Sequence, residues 1–216
     1  MCGIFALMSD VDFNLIDTEF RKGKDRGPEH SIIHNEKIMN MKSKFYLGFH
    51  RLAINGLNTE SNQPLMMDNI ILICNGEIYN YKELYKMLDV KPKTDSDCEV
   101  IIHLYKKYGF EQTLRMLDGV FAIVLMEKIS PFDNKLFIAR DPYGVRPLYI
   151  NQSFNDDETF LAVASDMKMI NNLCRKDYEL RIKNNLNTNV FYNDYEDEVY
   201  YIENKVKHFT PGTFSE

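Results

Sequence analysis

The chain has 216 residues, 44% of them hydrophobic, which is enough for one large domain or two small ones with a buried core. Asp and Glu outnumber Lys and Arg by 32 to 26, so the net charge is −6. This charge argues against a nucleic-acid partner or a polybasic membrane contact, and no apolar stretch is long enough to span a bilayer.

The first residues and the cysteines indicate the cellular compartment. A basic region followed by an apolar core is missing, so we expect no secretory signal. The four cysteines form no Cys-x-x-Cys pair, and the histidines do not lie around them at metal-ligand spacing. We therefore expect neither a disulfide scaffold nor a metal site, and a reducing, cytoplasmic compartment fits. Cys74 is expected to be a buried, inert thiol.

The first third of the chain predicts strands around one helix. A short apolar run predicts a buried strand over residues 3–8, which would hold Cys2 within the body of the protein. Apolar residues at spacings of three and four predict a helix over residues 12–24. Further strands are predicted over residues 31–34, 38–41, 45–54 and 67–74. The last of these leads into Asn75-Gly76, a dipeptide typical of turns.

Helices follow in the middle of the chain, and strands return after them. Helices are predicted over residues 81–88, 97–108 and 111–117. Strands are predicted over residues 120–126, 136–139, 148–150 and 160–164. From Arg175 onward a polar, acidic and tyrosine-rich segment is expected at the periphery. Elements of one type cluster and do not alternate, which predicts a single α+β domain with antiparallel sheets.

Cys2 is the first candidate for chemistry. Once Met1 is removed, the Cys2 thiol and a free α-amine belong to one residue, so no histidine is needed as proton acceptor. An α-amine with a pKa of about 7.7–8.0 is partly neutral near pH 7, and a thiol with a pKa of about 8.5 needs only modest help to ionise. The alternative is that Met-Cys-Gly is simply the start of the chain.

Asn75 and Gly76 form the second candidate. Acyl transfer from an amide needs hydrogen-bond donors aimed at the oxygen that becomes negative. The Asn75 side-chain amide and the Gly76 backbone N–H are such donors, and glycine lets a substrate approach the backbone closely. For the dipeptide alone, a simple Asn-Gly hairpin turn is the favoured interpretation.

Two charged residues suit an amino-acid ligand. Arg51 lies on a predicted apolar strand, and its planar guanidinium suits a carboxylate. Asp97 begins a predicted helix and could hold an ammonium group. The structural alternatives are an ion pair for Arg51 and a helix cap for Asp97. The segment 140–149 is interpreted as a rigid loop held by internal charge pairs, with a scaffold role.

Six short motifs follow one another along the chain. They are Cys-Gly-Ile at 2–4, Arg-Gly-Pro at 26–28, Gly-Phe-His-Arg-Leu-Ala at 48–53, Asn-Gly-Glu-Ile-Tyr-Asn at 75–80, Leu-Asp-Gly-Val-Phe-Ala at 117–122 and the arginine-containing segment at 140–149. In order and spacing they resemble class II glutamine amidotransferases. The resemblance is closest to the glutaminase domain of glutamine-hydrolysing asparagine synthetases, and it runs through residues 164–168. We therefore expect residues 1–216 to be one glutaminase domain.

The resemblance implies a fold and a reaction. The fold is the four-layer αββα sandwich of amino-terminal-nucleophile hydrolases, with two antiparallel sheets stacked between helix layers. The reaction is hydrolysis of L-glutamine to L-glutamate and ammonia, without a cofactor. Cys2 would attack the side-chain amide and its α-amine would manage the protons, while Asn75 and Gly76 would form the oxyanion hole.

The resemblance also implies how the substrate is bound. Arg51 would bind the glutamine carboxylate, Asp97 and Glu77 would bind the ammonium group, and backbone near Ile54 would help to orient the molecule. The role of Glu77 rests on the resemblance alone.

The chain departs from the family pattern at a few places. Asp25 and Glu29 flank Arg-Gly-Pro where the family usually has His and Asp, and Thr213 stands where a histidine commonly follows Pro-Gly. No Ser-Gly-Gly-x-Asp-Ser loop for pyrophosphate occurs, so we expect no ATP-dependent synthetase domain within these residues. A separate synthetase domain or subunit would then receive the ammonia.

Two other hypotheses stay open. One is a catalytically silent relative that binds glutamine or a partner protein. The other, which is less favoured, is a hydrolase for a different amide.

Overall fold

Eleven strands form two antiparallel sheets in the described part of this computed structural model, residues 1–37, 43–154, 159–185 and 206–216. In chain order the strands are β1 (Gly3–Ser9), β2 (His30–Lys37), β3 (Lys44–Arg51), β4 (Leu65–Met67), β5 (Ile70–Ile78), β6 (Gly119–Ser130), β7 (Asp133–Arg140), β8 (Tyr149–Phe154), β9 (Thr159–Ala164), β10 (Lys207–His208) and β11 (Phe214–Ser215). One sheet has the order β10-β8-β9-β1-β3-β2 and the other β11-β7-β6-β5-β4.

Five α-helices cover the outer faces of the sheets in the same described residues. They are α1 (Phe13–Arg21), α2 (Tyr81–Leu88), α3 (Val100–Tyr108), α4 (Phe110–Met116) and α5 (Asn171–Asn185). Apolar side chains of α2, α3 and α4 pack on the five-stranded sheet, and those of α1 and α5 pack on the six-stranded sheet. A third apolar core lies between the two sheets. This arrangement confirms the predicted four-layer α+β sandwich. None of the described helices is both long and apolar enough to cross a membrane.

Strand β1 illustrates why the sequence folds in this way. Successive side chains of a strand point to opposite faces, and both faces of this strand are buried. Ile4 and Ala6 face the core between the sheets, while Phe5 and Leu7 face the core under α1 and α5. A strand buried on both faces is a continuous apolar run, as the sequence of β1 shows.

The region around Asn75 differs from the prediction. Asn75-Gly76 is not a turn, because β5 continues through it to Ile78 and pairs with β6, with Gly76 opposite Phe121. The lack of a Cβ lets the two strands approach, since a Cβ on Gly76 would lie 2.7 Å from the Val120 carbonyl oxygen. The chain instead turns between β4 and β5, where Asp68 has φ of 53°.

Smaller differences concern the ends of elements. The first helix ends at Arg21, three residues before its predicted end, and β3 ends at Arg51, so that Ile54 lies in the loop that follows. The strand predicted over residues 38–41 falls within residues 38–42, which are outside the described part. The segment after Arg175 begins as helix α5, and residues 186–205 are also outside the described part.

Gly48 on β3 gives a test of this packing. A Cβ at Gly48 would lie 2.6 Å from the ring of Phe20 on α1, so Gly48→Ala forces α1 away from the sheet. We expect a loss of about 1–3 kcal/mol in the free energy of unfolding, as is typical of overpacked cores. Lys44→Ala, at an exposed position on the same strand, should change it by less than about 0.5 kcal/mol. Urea unfolding measures both, and equal values for the two variants would contradict the packing.

Candidate active site

One cavity collects almost all of the predicted site residues. Its lining includes six of them: Cys2, Arg51, Ile54, Gly76, Glu77 and Asp97. The seventh, Asn75, does not line it but is buried between the sheets, with 1% of its surface exposed. Residues from both sheets meet here because β1 and β3 belong to one sheet and β5 to the other.

Backbone contacts with Leu52 hold the Cys2 thiol. The thiol lies 3.3 Å from the Leu52 carbonyl oxygen as donor and 3.4 Å from the Leu52 nitrogen as acceptor. Burial raises the pKa of the Cys2 thiol, while the Leu52 hydrogen bond and the nearby amino terminus lower it, and burial has the larger effect. The thiol is therefore protonated at neutral pH and needs a proton acceptor before it can act as a nucleophile.

The Arg-Gly-Pro segment holds the residues around the thiol. The Arg26 Nε donates to the carbonyl oxygen of Cys2 over 3.1 Å. Gly27 lies against β3, where a Cβ would be 2.4 Å from the backbone of His50, so only glycine fits. The Glu29 carboxylate accepts a hydrogen bond from the Ala53 N–H. Glu29, at a position where the family usually has Asp, thus ties the loop after β3 to this segment.

The outer edge of β5 carries the candidate oxyanion donors. In an antiparallel pair, alternate residues direct both backbone groups to the same side. The Cys74 N–H and C=O face away from β6, because both bond to the side chain of Gln63, and the Ile78 N–H faces the same way, bonding to Asp97. Gly76 lies midway between them and lines the cavity. This alternation directs the Gly76 N–H to the cavity side of the strand.

A pair of carboxylates lies at the same edge. Asp97 is 5% exposed, and its Oδ2 accepts the Ile78 N–H at 2.7 Å. Burial raises the pKa of Asp97, the Ile78 hydrogen bond opposes this, and the nearby Glu77 carboxylate adds to the rise. The helix cap proposed as the alternative role of Asp97 is instead Ser96, whose hydroxyl accepts the Cys98 N–H at 3.3 Å. Asp97 and Glu77 thus make one end of the cavity attractive to a cation.

Arg51 holds the loop at the mouth of the cavity. Its guanidinium donates to the carbonyl oxygens of Gly56 and Asn58 and to the side-chain oxygen of Asn62. These partners are neutral oxygens, so the ion-pair alternative is not what the structure shows. A carboxylate is a stronger acceptor for guanidinium than a neutral oxygen. Ile54, 58% exposed, lies at this mouth.

Segment 140–149 is a rigid loop, as predicted, but charge pairs do not hold it. The Arg140 guanidinium donates to the carbonyl oxygens of Gly144, Arg146 and Phe209, each over 2.8 Å. The Asp141 carboxylate accepts backbone N–H groups of the same loop. The two charged side chains therefore replace missing backbone partners in the turn and do not pair with each other.

Gln63 and Ser165 support the site and are among the residues that were not predicted. Gln63 pairs with the backbone of Cys74, and nothing in its sequence surroundings indicates this role. Ser165 contacts the Asn75 amide, with Nδ2 and Oγ 3.4 Å apart. Ser165 lies in segment 164–168, the last part of the resemblance, so that segment was a signal that could have drawn attention to it. All four cysteines are free, and Cys74 is buried as predicted.

Comparison with known proteins identifies the family of this chain. A family model described as a glutamine amidotransferase domain matches residues 1–216. The chain is 40% identical to asparagine synthetase (glutamine-hydrolyzing) of Gallus gallus over 177 residues, 80% of this chain and 30% of that protein. It is 39% identical to the Homo sapiens enzyme of that name over 172 residues, 78% of this chain and 29% of that protein. A probable asparagine synthetase of Acanthamoeba polyphaga mimivirus is 34% identical over 178 residues, 80% of this chain and 31% of that protein. The chain thus spans about 30% of the length of these relatives.

Alkylation of Cys2 tests its environment. Because burial raises the pKa of this thiol, its thiolate fraction at a given pH is smaller than that of an exposed thiol. We expect the midpoint of iodoacetamide alkylation against pH, followed by mass spectrometry of the Cys2 peptide, to lie higher in the folded chain than in urea. The midpoint is the measurement, since burial also slows the reaction at every pH. A midpoint at or below the unfolded one would contradict this environment.

Proposed function

The chain belongs to the glutamine amidotransferase domain family, and we propose that it hydrolyses L-glutamine to L-glutamate and ammonia with Cys2 as an amino-terminal nucleophile. The observation that carries this proposal is the meeting of Cys2, the Gly76 edge of β5, Arg51 and the Asp97–Glu77 pair in one cavity. A nucleophile, an oxyanion donor and sites for two opposite charges are what an amino-acid amide requires.

Substrate binding follows from the two ends of the cavity. The Arg51 guanidinium would exchange its neutral loop oxygens for the α-carboxylate, forming the stronger, charge-assisted bonds. The α-ammonium would lie beside Asp97 and Glu77, where it relieves the repulsion between the two carboxylates. These two anchors leave the γ-amide to reach Cys2.

The chemistry begins when Met1 is removed. The α-amine of Cys2 is then free, and it accepts the thiol proton directly or through water as Sγ attacks the carbonyl carbon of the side-chain amide. A local base is needed because burial raises the pKa of the thiol. The oxyanion that forms would accept hydrogen bonds from the Gly76 N–H and the Asn75 amide.

Collapse of the tetrahedral adduct breaks the C–N bond. The protonated α-amine returns its proton to the leaving nitrogen, so ammonia departs and a thioester on Cys2 remains. Water then adds to the thioester, with the amine again as proton acceptor, and releases L-glutamate and the free thiol. The cycle needs no cofactor.

We propose that a separate ATP-dependent synthetase domain or subunit uses the ammonia, in asparagine biosynthesis. This proposal is supported by the relatives, which are named as asparagine synthetases and are about three times as long as the matched part. A cytoplasmic location is part of the same proposal, and the four free thiols are consistent with a reducing compartment.

Removal of the thiol tests the reaction directly. With Met1 absent by mass spectrometry, we expect Cys2→Ala to lower ammonia release from glutamine by roughly a thousandfold or more, because the nucleophile is lost. Cys174→Ala, which removes a buried thiol on α5 outside the cavity, should keep wild-type activity. Ammonia is measured with a coupled dehydrogenase assay.

The outcomes of this experiment distinguish an active glutaminase from a catalytically silent homologue that only binds glutamine. If wild-type chain trimmed of Met1 binds glutamine in calorimetry but releases no ammonia, the chain is a silent binding homologue. If Cys2→Ala and wild type release ammonia at the same rate, a different nucleophile acts and the mechanism is wrong.

The dependence of KM on pH tests the ammonium site. As the pH falls toward the raised pKa of Asp97, its carboxylate is protonated and KM for glutamine should rise, beginning at a higher pH than for an ordinary aspartate. Asp97→Asn should raise KM at neutral pH by roughly tenfold or more, the size of a lost charged hydrogen bond, and flatten this acidic rise. Asp68→Asn, at an exposed position between β4 and β5, should change neither KM at neutral pH nor the rise of KM at acidic pH. If KM for glutamine still rises at acidic pH in Asp97→Asn as it does in the wild type, protonation of Asp97 is not the cause of that rise.

A further inference from the structure

Ser165, the residue that follows β9, forms hydrogen bonds with the nucleophile strand β1. It is 1% exposed. Its backbone N–H donates to the Ile4 carbonyl oxygen over 3.0 Å, and its hydroxyl oxygen accepts the Ile4 N–H over 3.0 Å. Ile4 is two residues from Cys2, so these two bonds place Ser165 against the nucleophile strand, whose position is also held by its seven pairs with β3.

The same hydroxyl reaches the other sheet. The Asn75 Nδ2 donates to the Ser165 oxygen, with the two atoms 3.4 Å apart. Asn75 is on β5, in the five-stranded sheet, and Ile4 is on β1, in the six-stranded sheet. One oxygen atom therefore connects the backbone of the nucleophile strand to the side chain of the candidate oxyanion donor.

A side-chain amide has two N–H bonds, which point about 120° apart in one plane. When Ser165 accepts one of them, rotation of the amide is restricted and the direction of the other is set. An oxyanion hole depends on donors that already point at the developing charge before the reaction occurs. An Asn75 amide without this partner would rotate, and part of its stabilisation of the oxyanion would be lost.

We propose that Ser165 is a positioning residue for the oxyanion hole, holding the Asn75 amide in register with Cys2. The proposal rests on the proposed glutaminase function. The Ser165 hydroxyl accepts from the Ile4 N–H and from the Asn75 amide, so we assign it a role exerted through Asn75 and not through contact with the substrate.

Ser165→Ala tests the proposal against a matched control. Ser9→Ala removes a hydroxyl that is equally buried, 1% exposed, and that also accepts a backbone N–H, from Val11 over 3.2 Å at the far end of β1. We expect Ser165→Ala to lower kcat by roughly tenfold to a hundredfold, somewhat less than loss of an oxyanion donor itself, with KM within about twofold. Ser9→Ala should keep wild-type kcat.

A second readout separates positioning from general loosening. The γ-aldehyde analogue of glutamine adds to the Cys2 thiol to give a tetrahedral adduct with an oxygen in the oxyanion hole. Its affinity should fall in Ser165→Ala by about as much as kcat does. Iodoacetamide reacts with the same thiol but places no oxyanion there, so its rate at Cys2 should stay at the wild-type value.

Four outcomes are decisive. Wild-type kcat and aldehyde affinity in a folded Ser165→Ala chain would overturn the positioning role. Parallel losses of aldehyde affinity and alkylation rate would overturn it too, by showing that the thiol itself has moved. If Ser165→Ala does not fold, Ser165→Cys keeps the shape with a weaker acceptor, and its kcat should fall in the same direction, while wild-type kcat would refute the proposal. A wild-type chain that fails to hydrolyse glutamine would refute the proposed function and not this inference alone.

Discussion

Pairing of β1 with β3 is the constraint on which the site depends. A nucleophile at the start of a chain would ordinarily fray into solvent. Here seven consecutive pairs fix the register of the two strands, with Gly3 opposite His50, so Cys2 lies beside the backbone at Leu52. Strand β9 pairs with β1 on its other side, and the Arg26 side chain holds the Cys2 carbonyl oxygen. The position of the thiol therefore follows from the centre of a six-stranded sheet and not from the terminus itself.

Burial at this position acts on each charged group in a different way. It keeps the Cys2 thiol protonated, so the reaction depends on a base within reach. It also raises the pKa of Asp97, whose charge is disfavoured next to Glu77. An ammonium group near Asp97 would favour the charged carboxylate, but it would not lower the raised pKa of the Cys2 thiol. The zwitterion of the proposed function would place an ammonium group beside Asp97 and Glu77 and a carboxylate beside Arg51.

Local sequence was enough to predict much of the fold, and the failures have one cause. The apolar run of β1 and the periodicity of α2 depend on nearby residues, and both elements were found within a residue of their ends. Asn75-Gly76 has the local preference of a turn, but pairing with β6, over forty positions away, keeps it in a strand. Ser165 contacts Asn75 across 90 positions. Contacts of this kind leave no pattern in a single sequence. The motifs pointed to residues of which six line one cavity, because the order of motifs along the chain carries information that periodicity lacks.

Strand β4 is short, and its length decides which part of β5 is left without a neighbouring strand. β4 pairs only with Ile70–Leu72, the first three residues of β5, so within the described residues no strand covers the outer edge of β5 from Cys74 to Ile78. An uncovered edge is usually a liability, because its free backbone groups invite further strands. In this protein, Gln63 covers the edge at Cys74 and Asp97 covers it at Ile78. The position between them, Gly76, opens onto the cavity. A longer β4 would pair with Gly76 and consume its N–H, so the end of that three-residue strand is what leaves a backbone donor for an oxyanion.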